Sequence, residues 1–292
     1  MSLMTARMSI LALACMATGT RAFAGRVLKV GEGCEFARPS QAAAVARDDD
    51  RIVIGKGVYA GDVCRWTACG LDIRGAGPEA TIVDAKGRCC GGKGAWVVSG
   101  DGARISGVAF TGAKCRDRNG AGIRLEGCGL VVSNCLFSAN ENGILTGASE
   151  TGRIQVVDSV FRGNGAEDGY SHNIYVGAVR ALEMVRCKSD HALSGHCLKS
   201  RARENRIIDC VFSDGDDGRS SYLADFPNGG DVQVRGCRFV QSPAASNGTM
   251  LSIGEEGPYP GSSLVIRGGS FENRRATGIE VWHAPGVTVR RE

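Results

Sequence analysis

Short stretches in which apolar and polar residues alternate run through the chain from about residue 51 onward. Residues 130–137 (LVVSNCLF) and 231–239 (DVQVRGCRF) show the pattern most clearly. A period of two is typical of β-strands, because successive side chains of a strand point to opposite faces. No helical pattern of about ten residues separates these stretches. The sequence therefore predicts an all-β fold.

The stretches recur at a regular distance, and two columns of equivalent positions make the repeat visible. The first column is aromatic except at one position: Phe110, Phe137, Phe161, Ser189, Phe212, Phe239 and Phe271. The second column places an aliphatic residue after a variable one: Gly122-Ile123, Gly143-Ile144, Asn173-Ile174, Cys197-Leu198, Tyr222-Leu223, Met250-Leu251 and Gly278-Ile279. Both columns have a mean period of about 27 residues, which indicates a repeat architecture.

A repeat of this length with two or three short strands is typical of a parallel β-helix, in which each coil stacks about 4.8 Å above the last. A leucine-rich repeat would need a helix or a leucine-asparagine ladder, and a propeller blade would need a period above about 40 residues. We therefore predict a single-stranded parallel β-helix of roughly eight to ten coils.

The amino-acid composition agrees with a fold whose coils turn at many tight corners. The chain has 43 glycines in 292 residues, and glycine accepts the positive φ that such corners require. Asn140, Asn164 and Asn273 follow the aromatic column and predict an asparagine stack that caps the turns. Hydrophobic residues at 43% and charged residues at 23% exclude a coiled coil, a collagen-like chain and a disordered tail.

Charge excludes a nucleic-acid partner. The net charge is +4, with 35 basic and 31 acidic side chains. No basic run goes beyond residues 201–203 (RAR) or Arg290-Arg291. Binding to nucleic acid irrespective of sequence needs a concentrated basic surface, which these clusters do not supply.

Ten of the thirteen cysteines fall into two groups. One group shares a column of the repeat, lacks CxxC spacing and predicts a buried stack of thiols: Cys135, Cys187, Cys210 and Cys237. The other group lies in irregular segments near the start, where disulfides of undetermined connectivity are expected: Cys34, Cys64, Cys69, Cys89, Cys90 and Cys115.

Residues 1–24 have the features of a secretory signal. Arg7 provides a positive start, residues 8–17 are apolar, and Ala22-Phe23-Ala24 matches a cleavage site, which predicts a mature chain from Gly25. We expect export to the periplasm or the extracellular space, where disulfides form. No later stretch approaches the roughly 18 apolar residues of a membrane span, so none is predicted.

Residues 36–47 (FARPSQAAAVAR) and 50–59 (DRIVIGKGVY) resemble the start of the right-handed parallel β-helix proteins of the pectate-lyase superfamily. The resemblance implies a short helix, here at residues 42–46, that covers the open end of the first coil. It divides the chain into a signal peptide (1–24), an N-terminal capping segment (25–50) and the right-handed β-helix domain (51–292). The same coil serves lyases, hydrolases, epimerases and binding proteins.

Titratable side chains gather on one face of the predicted repeat. His172 and His196 share a column on consecutive coils, and Tyr175 and Lys199 are neighbours in the outward column beside them. That column is expected to hold Arg124, Leu145, Tyr175, Lys199, Ala224, Ser252 and Glu280. Tyr222, Asp225 and Asn228 follow one coil later, then Glu255-Glu256. Alternatively, the histidines are satisfied hydrogen-bonding groups, and Asp225 is a structural partner of Arg201 or Ser200.

Two segments, 195–202 (GHCLKSRA) and 220–230 (SSYLADFPNGG), resemble signature segments of a group of exported bacterial β-helix proteins. Leu198-Lys199-Ser200 with Asn205 also resembles, more distantly, the lysine motif of enzymes of the alginate-lyase and chondroitinase-B type, in which the lysine removes the proton beside a uronate carboxyl. That family's arginine-histidine-glycine segment and its calcium-binding carboxylates have no match here. We therefore predict no certain cofactor, and calcium has no matched ligands.

β-Elimination needs a cation for the uronate carboxylate, a base for the neighbouring proton and an acid for the leaving oxygen. The candidates are Lys199, His196 or His172 as base, Arg201 as carboxylate clamp, and Tyr175 or Tyr222 as acid, with Asp225 beside them. Hydrolysis would need paired carboxyls about 5–9 Å apart. The acidic segment with Asp214, Asp216 and Asp217 is glycine-rich and predicts a solvated turn.

The sequence thus predicts an exported monomer that engages an extended acidic polysaccharide along one sheet, with β-elimination as the leading activity. The alternative is a non-catalytic carbohydrate-binding or cell-envelope protein on the same scaffold. Hydrolase and epimerase activities are further alternatives.

Overall fold

The structure is a computed structural model that describes residues 25–292. The predicted signal segment, 1–24, lies outside the described residues. The chain winds through about ten stacked coils, and each strand pairs in parallel with its equivalents on the coils before and after it. Three sheets result, as expected for a β-helix.

The first sheet has eleven strands: Val27–Val30, Arg51–Ile54, Asp72–Arg74, Ala103–Ser106, Leu130–Ser133, Ser149–Val157, Val179–Val185, Glu204–Ile208, Asp231–Arg235, Ser263–Arg267 and Thr288–Arg291. The second sheet has nine: Gly57–Ala60, Thr81–Asp84, Ala109–Thr111, Leu136–Ser138, Val160–Arg162, Lys188–Asp190, Val211–Ser213, Arg238–Gln241 and Ser270–Asn273. The third sheet also has nine: Cys64–Trp66, Gly94–Val98, Ala121–Leu125, Asn142–Thr146, Ile174–Val176, Lys199–Ser200, Ala224–Phe226, Thr249–Ile253 and Ile279–His283.

The aromatic column forms a ladder inside the second sheet, as predicted. Phe137 pairs with Phe110 and with Phe161, and the stacked rings are 5.1 and 4.7 Å apart. Ser189 takes the next position and pairs with Phe161 and Phe212. Its hydroxyl donates to the carbonyl of Cys197 at 2.8 Å. The one polar member of the column is therefore satisfied within the core.

The outward column of the third sheet differs from the prediction in two coils. Lys199 pairs with Asp225 rather than with Ala224, and Ser252 pairs with Trp282 rather than with Glu280. The segment from Lys199 to its neighbour on the next coil is one residue longer than the column of repeat positions predicted. The buried Phe226 therefore pairs with Ile253 inside the core. Because side chains alternate, the one-residue shift turns a carboxylate outward instead of a methyl group.

The capping helix is present but starts earlier than the alanine run predicted. It spans Pro39–Ala43 rather than residues 42–46. Pro39 suits the first turn, where its missing N–H costs nothing, and the Gln41 side chain accepts hydrogen bonds from the backbone N–H of Ala37 and Arg38. Ala42 and Ala43 are buried against the first coil, so the helix covers the apolar end of the core.

The cysteine column is confirmed as a buried stack of free thiols: Cys135, Cys187, Cys210 and Cys237. In the irregular region near the start, Cys89 and Cys115 form a disulfide. Other cysteines of the described residues are free, among them the exposed Cys34 and Cys69.

The asparagine stack is confirmed for two of its three predicted members. Asn164 Oδ1 accepts from the side chain of Asn140 at 3.0 Å, and Asn173 Oδ1 accepts from Asn164 at 2.8 Å. Asn273 lies elsewhere and donates to the carbonyl of Gly248. Asn173, which the sequence placed only in the second column, is thus the third member of the stack.

No helix within residues 25–292 has the length and apolar character needed to cross a membrane.

Candidate functional site

The candidate site lies on the outward face of the third sheet. The face presents one side chain per coil, in the order Arg124, Leu145, Tyr175, Lys199, Asp225, Ser252 and Trp282. Residues 254–262, between the strands Thr249–Ile253 and Ser263–Arg267, form a loop beside its middle. The loop is anchored by the N–H groups of Glu256 and Tyr259, which donate to the carbonyls of Pro227 and Asn228, both at 2.9 Å.

The carboxylate of Glu256 connects the two cations of this face. One oxygen lies 3.0 Å from Lys199 Nζ and the other lies 2.7 Å from Arg201 Nη2. Arg201 also donates to Tyr175 Oη at 2.9 Å and to Asn228 Oδ1 at 2.7 Å. Burial alone would raise the pKa of Glu256, but the hydrogen bonds from Lys199 and Arg201 outweigh it and lower the pKa. Glu256 is therefore ionised and held by both cations.

Asp225 lies beneath these groups and is only 2% exposed. Its Oδ2 is 3.6 Å from both Lys199 Nζ and His196 Nε2, while Oδ1 has no hydrogen-bond partner among residues 25–292. Burial raises the pKa of Asp225 to about 7, because the charge of Lys199 offsets only part of the lost hydration and the charges of Glu255 and Glu256 oppose it. This carboxyl therefore changes charge near neutral pH.

The alternative that Asp225 is a partner of Arg201 or Ser200 is wrong. Ser200 Oγ donates to Asn205 Oδ1 at 2.6 Å, and Arg201 binds Glu256, Tyr175 and Asn228 instead.

The two histidines stack with their ring centres 4.6 Å apart, as their shared column predicted. His172 Nδ1 accepts from the backbone N–H of His196 at 3.0 Å, and His196 Nδ1 accepts from that of Tyr222 at 3.3 Å. Asn142 begins the series, since its Oδ1 accepts from the N–H of His172 at 2.9 Å. We call these four residues the capping ladder. The side chains of Asn142, His172 and His196 each accept from a backbone N–H on the next coil, whereas the Tyr222 hydroxyl donates to Glu255.

Burial dominates the electrostatics of both rings. It lowers the pKa of His172 to about 3, with help from the charges of Lys199 and Arg201. The pKa of His196 is also well below its ordinary value, through burial and the neighbouring His172 and Lys199. Both imidazoles are therefore neutral at neutral pH, and such weak bases remove protons poorly. Lys199 is the better candidate for the base.

The two tyrosines differ in their partners. Tyr222 donates to Glu255 Oε2 at 2.9 Å, and burial together with that carboxylate raises the pKa of Tyr222 to about 12. Tyr175 Oη accepts a hydrogen bond from Arg201 at 2.9 Å, and its ring stacks on His172 with the ring centres 5.7 Å apart. Of the two phenols, Tyr175 is therefore the one in direct contact with Arg201.

All seven predicted site residues come together: His172, Tyr175, His196, Lys199, Arg201, Tyr222 and Asp225. The acidic turn is solvated as predicted at Asp216 and Asp217, but Asp214 is fully buried and accepts from Ser220 Oγ at 2.5 Å. The sequence did not single out Tyr259 or Trp282. Tyr259 lies in an irregular loop without a repeat signal, and Trp282 was assigned to the wrong register.

No group of three or more His, Cys, Asp or Glu side chains within the described part of the chain could hold a metal ion.

Comparison with known proteins agrees with this architecture. Residues 30–179 match the profile of the family described as the right handed beta helix region. That segment is more than half of the chain, so the protein belongs to the right-handed β-helix family. No curated protein matches the sequence.

Three solved structures are similar in fold. The deglycosylated pectin methylesterase of Aspergillus niger is 11% identical over 91% of this chain and 84% of its own, with a TM-score of 0.51. Pectin methylesterase PemA of Erwinia chrysanthemi is 12% identical over 90% and 81%, with a TM-score of 0.49. ORF18 of Geobacillus virus E2 is 13% identical over 83% and 54%, with a TM-score of 0.52. At such identities the likeness is one of fold alone.

Proposed function

We propose that the protein binds an extended acidic polysaccharide along the third sheet and cleaves it by β-elimination beside Lys199 and Arg201. The observation that carries the proposal is the carboxylate of Glu256, held between these two cations at 3.0 and 2.7 Å. A uronate carboxylate has the same charge and shape. It can displace Glu256, whose side chain is 44% exposed and so borders solvent.

The sheet supports a polymeric substrate. Successive coils repeat at about 4.8 Å and place one outward side chain after another in a straight row. A linear polymer follows such a row better than a compact ligand does. One solved structure of similar fold, that of Aspergillus niger, is named a pectin methylesterase, and pectin is an acidic polysaccharide.

The chemistry divides among three side chains. Arg201 binds the uronate carboxylate and stabilises the negative charge that develops when the neighbouring carbon loses its proton. Lys199 first passes its own proton to the carboxylate of Asp225. As the free amine it then takes the proton from the carbon, and the released electron pair forms the carbon–carbon double bond as the bond to the glycosidic oxygen breaks. Tyr175 donates its proton to the departing oxygen, and solvent then restores both residues. Asp225, at 3.6 Å, is the neighbour that exchanges a proton with Lys199.

The proposal includes export by residues 1–24, a capping segment at 25–50, and a β-helix domain at 51–292 that works as a monomer. The place of action is the periplasm or the extracellular space, where acidic polysaccharides are exposed.

The direct test incubates the purified protein with alginate, pectate and glycosaminoglycans and follows the ultraviolet absorbance of unsaturated uronate products. Lys199→Ala should abolish product formation, and Tyr175→Phe should slow it. The matched control is Lys56→Ala, which removes an exposed lysine that is remote from Lys199 in the sequence. Unchanged rates in Lys199→Ala would remove this residue from the mechanism.

A second candidate is non-catalytic carbohydrate binding. The burial of both histidines and their use as backbone caps favour it, because the capping ladder then needs no catalytic explanation. Binding of an acidic glycan without any unsaturated product would reject elimination and support this candidate.

A further inference from the structure

A hollow of about 320 Å³ opens next to the candidate site, where the chain turns from the third sheet into the first. Ser149, Glu150, Val179, Arg203 and Tyr259 contribute to its walls. Neither Arg203 nor Tyr259 belongs to the machinery described above. The hollow shares a wall with the site, because Tyr259 Oη donates to the backbone carbonyl of Arg201 at 3.3 Å.

Two departures from the regular coil build this hollow. On one side, the long strand Ser149–Val157 shifts its register against Val179–Val185 between Ser149 and Arg153. On the other side stands the loop 254–262, which carries Tyr259. Both irregular segments contribute residues to the walls of the hollow, so its concave shape depends on them.

Arg203 is the cation of the hollow, and it has no acidic partner. Its guanidinium lies over the ring of Tyr259, 4.5 Å from the ring centre. Within residues 25–292 its side chain forms no ion pair and donates no hydrogen bond, whereas Lys199 and Arg201 both bind Glu256. The contact with Tyr259 restricts the orientation of the guanidinium but leaves its N–H donors free, because a cation–π contact uses only the face of the group. An oriented arginine with free donors is suited to a carboxylate.

We infer that the hollow is a second subsite, which binds the carboxylate of an acidic sugar residue next to the one held by Lys199 and Arg201. This inference rests on the proposed function, because both residues belong to one polysaccharide chain. Arg203 follows Arg201 by two positions, at the corner that leads into the strand Glu204–Ile208. The hollow therefore lies beside the row of outward side chains, and it receives the sugar residue at which the polymer leaves that row. Glu150 also lines the hollow, and its carboxylate would accept hydrogen bonds from hydroxyls of the same sugar residue.

The experiment compares a uronic acid monosaccharide with its trisaccharide by titration calorimetry. Galacturonate and mannuronate, with their trisaccharides, are the probes. Arg203→Gln should weaken binding of a trisaccharide about fivefold to tenfold and leave binding of the monosaccharide unchanged, because only the longer ligand reaches the hollow. Tyr259→Leu should have a smaller effect of the same kind. Tyr259→Phe, which keeps the ring, should bind the trisaccharide as the wild type does.

Arg206→Gln is the matched control, since Arg206 is exposed on the same coil but lies on the first sheet. Equal trisaccharide affinity in Arg203→Gln and wild type would overturn the subsite and leave the proposed function standing. Equal weakening for a neutral trisaccharide would also overturn it, because the hollow would then not select acidic sugars. Failure of every trisaccharide to bind the wild type would reject the subsite and the proposed function together. Melting temperatures of the variants establish that each one is folded.

Discussion

Lys199 and Asp225 pair directly across adjacent strands of the third sheet, with Nζ 3.6 Å from Oδ2. The amine is partly accessible, whereas the carboxyl is almost fully buried and has a pKa raised to about 7 by that burial. A buried group that changes charge near neutral pH therefore lies under the proposed base. The charge next to Lys199 accordingly depends on pH around neutrality.

Glu256→Gln should increase the affinity for a uronate monosaccharide about twofold to fivefold, because the neutral amide competes less well for Lys199 and Arg201. Titration calorimetry at low ionic strength measures the change. Glu79→Gln, at an exposed position remote in sequence, is the control. Weaker binding in Glu256→Gln would mean that this carboxylate assists the ligand rather than competing with it.

Asp225→Asn should remove a contribution that lowers stability as pH rises. The folded pKa of about 7 lies above the ordinary value of 3.8, so between these values the folded state holds a proton that the unfolded state has released. Asp225 therefore contributes a fall in the free energy of unfolding as pH rises from about 4 to about 7, and Asp225→Asn should remove that contribution. The buried His172 and His196, whose pKa values are lowered, act in the opposite direction below about pH 6.5 and remain in the variant, so its stability should rise more with pH than that of the wild type. Asp214, whose pKa is also raised by burial, keeps part of the slope in the variant.

Calorimetric melting temperatures between pH 4 and pH 8 give this comparison. Asp117→Asn, in an exposed loop, should follow the wild-type curve. An identical slope in Asp225→Asn would show that the buried carboxyl is already ionised throughout this range.

Trp282→Ala should weaken the binding of long oligosaccharides and spare short ones. Trp282 is 38% exposed and pairs with Ser252 in the row that also contains Lys199. Three coil steps of about 4.8 Å separate Trp282 from Lys199, so a short ligand held by the lysine does not reach it. Affinity measured against chain length tests this, and a uniform loss at every length would contradict it. Trp282→Phe, which retains an aromatic face, is the matched control.

Phe161→Ala should lower the free energy of unfolding by about 3–5 kcal/mol, because it opens a cavity in the middle of the aromatic ladder. Phe271→Ala, at the partly exposed end of the same ladder, should cost clearly less. Urea denaturation monitored by circular dichroism measures both. Equal losses at the two positions would show that burial along the ladder does not decide stability.

The repeat was predictable because the same physical requirement recurs in every coil. From Phe110 to Phe271 a phenylalanine fills the second sheet at every level but one, and Ser189 occupies the same position at that level. The register of Asp225 was not predictable in this way. Leu223 and Ala224 are both apolar, so the extra residue in that coil left no break in the pattern.

The contacts of the candidate site were only partly predictable. The sequence brought Lys199 and Tyr175 together, since a shared column fixes their distance. It did not indicate that Glu256 reaches Lys199 from an irregular loop, because no periodic pattern describes such a segment. It also left two interpretations of the histidines open, since which nitrogen accepts a hydrogen bond depends on backbone geometry.

The capping ladder has a mechanical consequence. Asn142 touches none of the proposed reacting groups, yet it fixes the backbone of His172, which fixes that of His196, which in turn fixes Tyr222. Position is thus passed upward from coil to coil along one edge of the sheet. The coils below therefore determine how precisely the residues of the proposed binding surface are positioned. Selection for that surface thus also acts on residues that no ligand contacts.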